Sequence, residues 1–423
     1  MKGSSKTVAD WRRRLLADDA DLLAGSPLVS WNLGFVGSHL ADMGVRRVLV
    51  VVDQAAVAAS DTGREIFRQI AGCQHEEFSD FEPNPRWQSG ANAARVAADL
   101  DADAVLAVGG GSCCDVAKIA ALGARSPALI DDLARGEPMR CARPIPIIAV
   151  PTTSGTGSEA THFAAIYVDG RKVSVAHPGL LPAVAVLDDR FQMTMPPQLA
   201  ACSGLDALCQ AMESLWAVDA TPESIRYALA GGKLIAANIE ASVLYADTAA
   251  RRAMMVGSHL AGKAINISKT TTSHALSYQL TERFGLHHGH AVALTVGHLA
   301  AAIRETEDAS CAHPLGAEHA RERARMAASL LGVTPTQLPG RMSTLMATLG
   351  LPDTLRSAGV DREAIPELAT GVDPVRLGNN PRRMSTHQLA DLLYGAWGPM
   401  VPSRPVACVS KVASGDAPTS APW

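Results

Sequence analysis

Residues 103–118 read DAVLAVGGGSCCDVAK. An apolar, branched run meets three glycines and then a stretch with helical spacing. That order predicts a buried strand turning sharply into a helix. Glycine lets backbone approach a ligand closely, and the N–H groups of a helix N-terminus favour anions. Gly109, Gly110 and Gly111 are therefore candidates to cradle a pyrophosphate. Ser112 adds a hydroxyl, and Asp115 falls in the first turn of the helix. The glycines lack the spacing of the dinucleotide fingerprint, so this stretch alone also reads as a plain tight turn.

The neighbouring segments repeat the pattern. Upstream, VRRVLVVVD (45–53) is a second apolar, β-branched strand ending in Asp53, and NPRWQSGANAARVAADLDA (84–102) reads as a helix. Downstream, IPIIAVPTTSGTGSEAT (145–161) is a strand that ends in a loop of hydroxyls and glycines. KVSVAHPGLLPAVAVLDDRF (172–191) carries two more strands. Alternating strands and helices imply a mostly parallel sheet covered on both faces. Ligands bind such sheets at the carboxyl ends of the strands. Thr152, Thr153, Thr156 and Ser158 of the loop join the cofactor candidates there, as does Lys172. Asp53 is placed to accept from a ribose, and its charge would repel a 2′-phosphate, so NAD(H) is expected over NADP(H).

After Pro196–Pro197 the β-like runs give way to long, alanine-rich segments with helical spacing. The reading is an α/β dinucleotide-binding domain over 28–195 and an all-helical domain over 196–401. A short extension (1–27) precedes them, and a Pro/Ser/Ala-rich tail (402–423), expected to be mobile, follows. A chain of 423 residues suits two or three domains. Net charge is −4 with no Lys/Arg run, so nucleic acid is not an expected partner. No signal core and no apolar run long enough to span a bilayer appear, which predicts a soluble cytoplasmic protein. Eight scattered cysteines show no zinc-finger spacing and read as thiols in a reducing compartment.

The helical half carries SGLDALCQAMES (203–214), where Asp206 and Gln210 are four apart and share a helix face. Further on, TTSHALSYQLTERFGLHHGHAVAL (271–294) holds His274 and, past a Gly285 able to end the helix, His288. A lone histidine is usually a packed core residue. Two of them downstream of an Asp-x3-Gln helix and a nucleotide-like loop suggest a metal site.

Together, GGGSCCDVAK, PTTSGTGSEAT, SGLDALCQAMES and HHGHAV resemble the iron-containing alcohol dehydrogenase family over roughly residues 28–400. The resemblance implies a dehydroquinate synthase-like architecture, with nicotinamide and metal meeting in a cleft. It implies Asp206, Gln210, His274 and His288 as ligands of a divalent metal, Fe²⁺ first and Zn²⁺ or Mn²⁺ as alternatives. It also implies a homodimer. Two positions depart from the family pattern: Gln210 and Tyr278 stand where histidines are usual. A glutamine amide is a harder oxygen donor than imidazole, so weaker iron binding is expected.

Within the family, AINISKTTTSHALSY, GLHHGHAVALTVGHL and RLGNNPRRMS resemble the phosphonoacetaldehyde reductases. That implies a small anionic aldehyde as substrate, in phosphonate natural-product metabolism. Lys269 and Arg376 are the expected phosphonate contacts, and Tyr278 or His290 the expected proton relay. The rival readings are a reductase of another small anionic carbonyl (phosphonopyruvate, maleylacetate or succinic semialdehyde), a non-redox cyclase of the same architecture, and a metal-free relative.

Overall fold

The computed structural model describes residues 20–58, 61–137 and 143–398. The expected tail and most of the N-terminal extension lie outside them. Eight strands run in chain order: β1 (Leu28–Ser30), β2 (Arg47–Val52), β3 (Gln74–Phe78), β4 (Ala104–Gly109), β5 (Ile147–Pro151), β6 (Phe163–Val168), β7 (Arg171–Ala176) and β8 (Val184–Val186). Six of them form one parallel sheet in the order β1-β8-β5-β4-β2-β3. The central strands are buried along almost their whole length, as unbroken Val/Ile/Ala runs require when helices cover both faces.

The helices that matter here are α1 (Trp87–Asp99), α2 (Gly111–Gly123), α3 (Pro197–Trp216), α4 (Pro222–Leu244), α5 (Thr248–Ser268), α6 (Thr272–Phe284) and α7 (His288–Arg304). Pro197 opens α3 at its first turn, where a missing N–H costs nothing. Among the described residues no strand follows β8. The helical half packs around α3, whose side chains are buried from Leu205 to Trp216. No helix among the described residues is long and apolar enough to cross a membrane.

The chain runs from β2 outward to β3, returns to β4 on the other side of β2, and continues to β5. The loops leaving β2 and β4 therefore diverge, and a crevice opens beyond Asp53 and Gly109. The two ends are tied, Asp53 N donating to Val108 O at 2.9 Å. A Cβ on Gly109 would lie 2.5 Å from Cys113 Cβ and 2.9 Å from Asp53 Cβ. Only glycine lets the strand turn this tightly into α2.

β6 and β7, an antiparallel hairpin beside the sheet, turn on Asp169–Gly170, both at positive φ. This hairpin carries Lys172 away from the sheet edge and toward the helical half.

Candidate active site: a dinucleotide crevice ending at a metal centre

One cleft of about 800 Å³ runs from Asp53 and the β3–α1 loop (Ser79–Pro85), past Gly110–Ser112, Thr153 and Thr156, to Lys172, Asp206 and His288. Its upper end is the crevice at β2 and β4. Gly110 caps α2, so the free N–H groups of the first turn face the cleft. A Cβ on Gly111 would meet Thr156 Cγ2 at 2.5 Å, so the hydroxyl loop presses against the helix start.

The sequence-expected cofactor residues divide in two. Asp53, Gly110, Gly111, Ser112, Asp115, Thr153 and Thr156 line the cleft. Asp53 Oδ1 also caps the following turn, accepting from Ala55 N at 3.1 Å and Ala56 N at 3.2 Å. Ser112 Oγ accepts from Asn84 N at 3.3 Å. Gly109, Thr152 and Ser158 instead build the wall. Thr152 is buried and continues the β4–β5 ladder, its N donating to Gly109 O. Ser158 Oγ donates to Asp115 Oδ1 and accepts from Lys118 Nζ, each at 2.9 Å. Lys118, unnoticed in the sequence reading, is fully buried and also donates to Thr161 Oγ1 and Phe163 O. Burial pushes its pKa down, with Asp115 opposing. This network pins the loop's far end to α2.

At the lower end, α3 brings Asp206 and Gln210 onto one face, and Gly285, in the left-handed region, ends α6. The chain then reverses, so that His288 at the start of α7 meets His274 on α6, their ring centroids 5.5 Å apart. One ligand atom each from Asp206, His274 and His288 lies within 4.8 Å of the others. Gly289 permits this approach, since a Cβ there would fall 2.1 Å from Cys202 O.

The donor set fits a divalent cation. Asp206 Oδ1, His274 Nε2 and Gln210 Oε1 are all buried and make no well-formed hydrogen bond, the first two facing each other as an ion pair at 3.4 Å. Three such atoms in one place are costly unless a cation satisfies them. The opposite edges of these groups are fully used. Glu213 Oε2 accepts from His274 Nδ1, and the same carboxylate accepts from Thr271 N, Thr271 Oγ1 and Ser273 N. Ser277 Oγ lies 3.1 Å from His288 Nδ1. Both histidines thus have Nδ1 occupied and present Nε2.

Sequence reasoning missed Glu213 and Ser277. The signal was present, because Asp206, Gln210 and Glu213 fall at i, i+4 and i+7, one stripe of a helix.

The electrostatics match an awaited cation. Burial lowers the His274 pKa, but Glu213 and Asp206 outweigh it and raise it to about 10. Burial and the charge of Lys172 push His288 down to about 3. Asp206 is buried, yet His274, His288 and Lys172 hold its pKa below the ordinary carboxylate value. The negative charge on Asp206 and Glu213 is offset by one extra proton, on His274, that a metal would displace.

Two expectations need correction. Lys269 does not reach the cleft: its side chain is 67% exposed and pairs with Asp219 at 3.1 Å. His290 Nε2 lies 2.7 Å from Pro352 O, so that nitrogen is already engaged and is not placed to relay a proton. Lys172, expected on the cofactor, lines the same cleft, with Nζ 4.1 Å from the Tyr278 ring centroid. Arg376 does reach this spot. Its guanidinium lies 4.8 Å from the same ring, its NH1 donates to the Tyr278 hydroxyl at 3.1 Å, and its NH2 to Lys172 O at 3.3 Å. The Tyr278 ring is stacked on His288, 5.8 Å between centroids.

Comparison with known proteins agrees. Residues 31–189 match the family described as iron-containing alcohol dehydrogenase, and residues 200–397 its C-terminal domain. The chain is 36% identical over 312 residues to the phosphonoacetaldehyde reductase of Streptomyces viridochromogenes, covering 71% of this chain and 78% of that one. It is 34% identical over 269 residues to long-chain-alcohol dehydrogenase 1 of Geobacillus thermodenitrificans, covering 62% and 68%. Among solved structures, sulfoacetaldehyde reductase from Bifidobacterium kashiwanohense, in complex with NAD+, superposes with a TM-score of 0.77 at 26% identity, covering 87% of this chain and 96% of that one. The chain belongs to the iron-containing alcohol dehydrogenase family, and is an NAD-linked alcohol dehydrogenase or aldehyde reductase that uses a divalent metal.

Proposed function

We propose that the enzyme reduces a short aldehyde carrying a phosphonate, phosphonoacetaldehyde to 2-hydroxyethylphosphonate, with NADH. The observation that carries this reading is the convergence of Lys172 and Arg376 on Tyr278, beside His288. Among the described residues no carboxylate lies within ion-pair distance of Lys172, and the nearest to Arg376 is Asp373 at 3.8 Å. One cation with no ion-pair partner and a second whose partner is a half-exposed carboxylate at 3.8 Å, next to a metal centre, suit a dianionic group on a substrate of few atoms. The relatives named for phosphonoacetaldehyde and sulfoacetaldehyde act on two-carbon aldehydes of that kind.

When bound, the metal supplies Lewis acidity at the carbonyl oxygen and the nicotinamide supplies the hydride. Asp206, His274, His288 and Gln210 would hold the metal, and the first turn of α2 with Thr153 and Thr156 would hold the pyrophosphate. Lys172 and Arg376 anchor the anionic end of the substrate and so aim its carbonyl at the ligand cluster. Burial alone would raise the Tyr278 pKa, but Lys172, Arg376 and His274 together lower it. That hydroxyl is suited to pass a proton to the oxygen left by hydride transfer.

The test is NADH oxidation by the Fe²⁺-reconstituted enzyme with phosphonoacetaldehyde, phosphonopyruvate, sulfoacetaldehyde and propanal. The reading expects kcat/KM for phosphonoacetaldehyde at least 100-fold above propanal. It also expects Lys172→Met and Arg376→Met each to remove 10-fold or more of that preference, with propanal turnover falling less than phosphonoacetaldehyde turnover because only the effect on Tyr278 is shared. Equal rates on all four substrates, or a preference indifferent to both variants, would refute it.

A further inference from the structure

We propose that Gln210 is a coupling residue: through its side-chain amide, metal and dinucleotide tighten each other's binding. The amide spans two sites. Nε2 donates to Thr156 O at 3.3 Å and to Asp206 Oδ2 at 3.2 Å, while Oε1 is buried and has no partner. Both neighbours of the nitrogen are acceptors, which sets the amide orientation and leaves Oε1 as the free, buried acceptor one turn from Asp206 that a cation would satisfy. Thr156 is the residue whose side chain presses on Gly111 at the start of α2, and its Oγ1 accepts from Ser158 N at 3.2 Å. One side chain therefore links the metal centre to the loop that closes the pyrophosphate cradle.

The coupling follows from the two ends of one planar group. A cation on Oε1 pins the amide plane and polarises it, which strengthens the N–H donated to Thr156 O. Without the cation the amide plane is held only at its nitrogen, its N–H is less polarised, and its grip on Thr156 O and the loop is weaker. The first ligand thus holds the loop in the form the second ligand needs, and linkage makes the effect reciprocal. A carboxylate at 210 offers oxygen to the metal and no donor to Thr156. A methionine offers neither and leaves Asp206, His274 and His288 in place.

The experiment measures NADH affinity by fluorescence titration, anaerobically and without aldehyde, for metal-stripped and Fe²⁺-loaded protein. Iron affinity is measured in turn with and without NADH. In the wild type, iron should lower the NADH Kd threefold or more, and NADH should lower the iron Kd by the same factor. In Gln210→Glu and Gln210→Met, both loaded with iron, that ratio should fall to less than half its wild-type value. This holds even though the carboxylate binds iron at least as tightly as the amide. A ratio of one in the wild type, or an undiminished ratio in both variants, overturns the proposal. The readout is a ratio of affinities, so it does not depend on the substrate.

Discussion

Glu213 shows how much of the centre rests on a residue that touches neither metal nor substrate. Its carboxylate receives four donors, including His274 Nδ1. Glu213→Gln puts an N–H₂ where an acceptor is needed. The expected result is a 10–100-fold loss of metal affinity in a direct titration. Leaving buried donors unmatched should also cost about 1–3 kcal/mol of stability. At the other end of the cleft, Asp53→Gly should raise NADPH use at least 10-fold, because like charges brought together cost several kcal/mol. The variant also loses the cap on Ala55 and Ala56, about 1 kcal/mol, so its melting temperature should fall slightly. Steady-state kinetics with both cofactors checks the first effect and thermal unfolding the second. At this scale the sequence was partly legible. His290 is two positions from His288, and such a pair points to different sides of a helix, so spacing alone argued against it as a relay. The fate of Lys269 was not legible. It closes α5 at a φ of +58°, and no local pattern announces where such a residue sends its side chain.

The hydroxyl loop between β5 and β6 is the decisive element. A Cβ on Gly157 would stand 2.5 Å from Gly262 Cα, and one on Gly262 2.6 Å from Gly157 O. The loop therefore lies backbone to backbone on α5. Gly262→Ala should push it outward, destabilise the fold by about 1–3 kcal/mol and weaken NADH binding severalfold. Thermal unfolding and a fluorescence titration check the two effects. The loop's composition showed that it touches something, but not that its glycines face a helix about 100 residues later. Strands β2, β4 and β5 were readable because they are buried on both sides and uniformly apolar. β3, QHEEF, lies at the sheet edge and is mostly exposed, so its polar sequence hid it. β7 was read as a strand but β6 was not, so the hairpin they form was hidden, and with it the direction of Lys172.

Across the whole molecule, the ligands come from three helices and the cofactor cradle from the sheet, so occupancy of the centre should report on global stability. Binding to the native state alone stabilises by about 2.7 kcal/mol when free ligand is 100 times Kd. Removing the metal with a chelator should lower the melting temperature by several degrees, and restoring Fe²⁺ should recover it. The same treatment of an Asp206→Ala variant should produce little change. Scanning calorimetry on both proteins separates the two cases. The two-part architecture was plain from the change in sequence character at Pro196–Pro197, since a sheet and a bundle need different periodicities.

The seam between the two halves is not confined to that proline pair. Lys263 of α5 donates to Leu22 O at 2.8 Å and Ala24 O at 2.9 Å, and Arg252 of the same helix pairs with Asp189. Gly157 lies on Gly262, and Gln210 reaches Thr156. An engineer exchanging halves between relatives at residue 196 would cut the chain once but break the match in at least four places. Parts of this enzyme should be traded as the loop together with its facing helices, not as a front half and a back half.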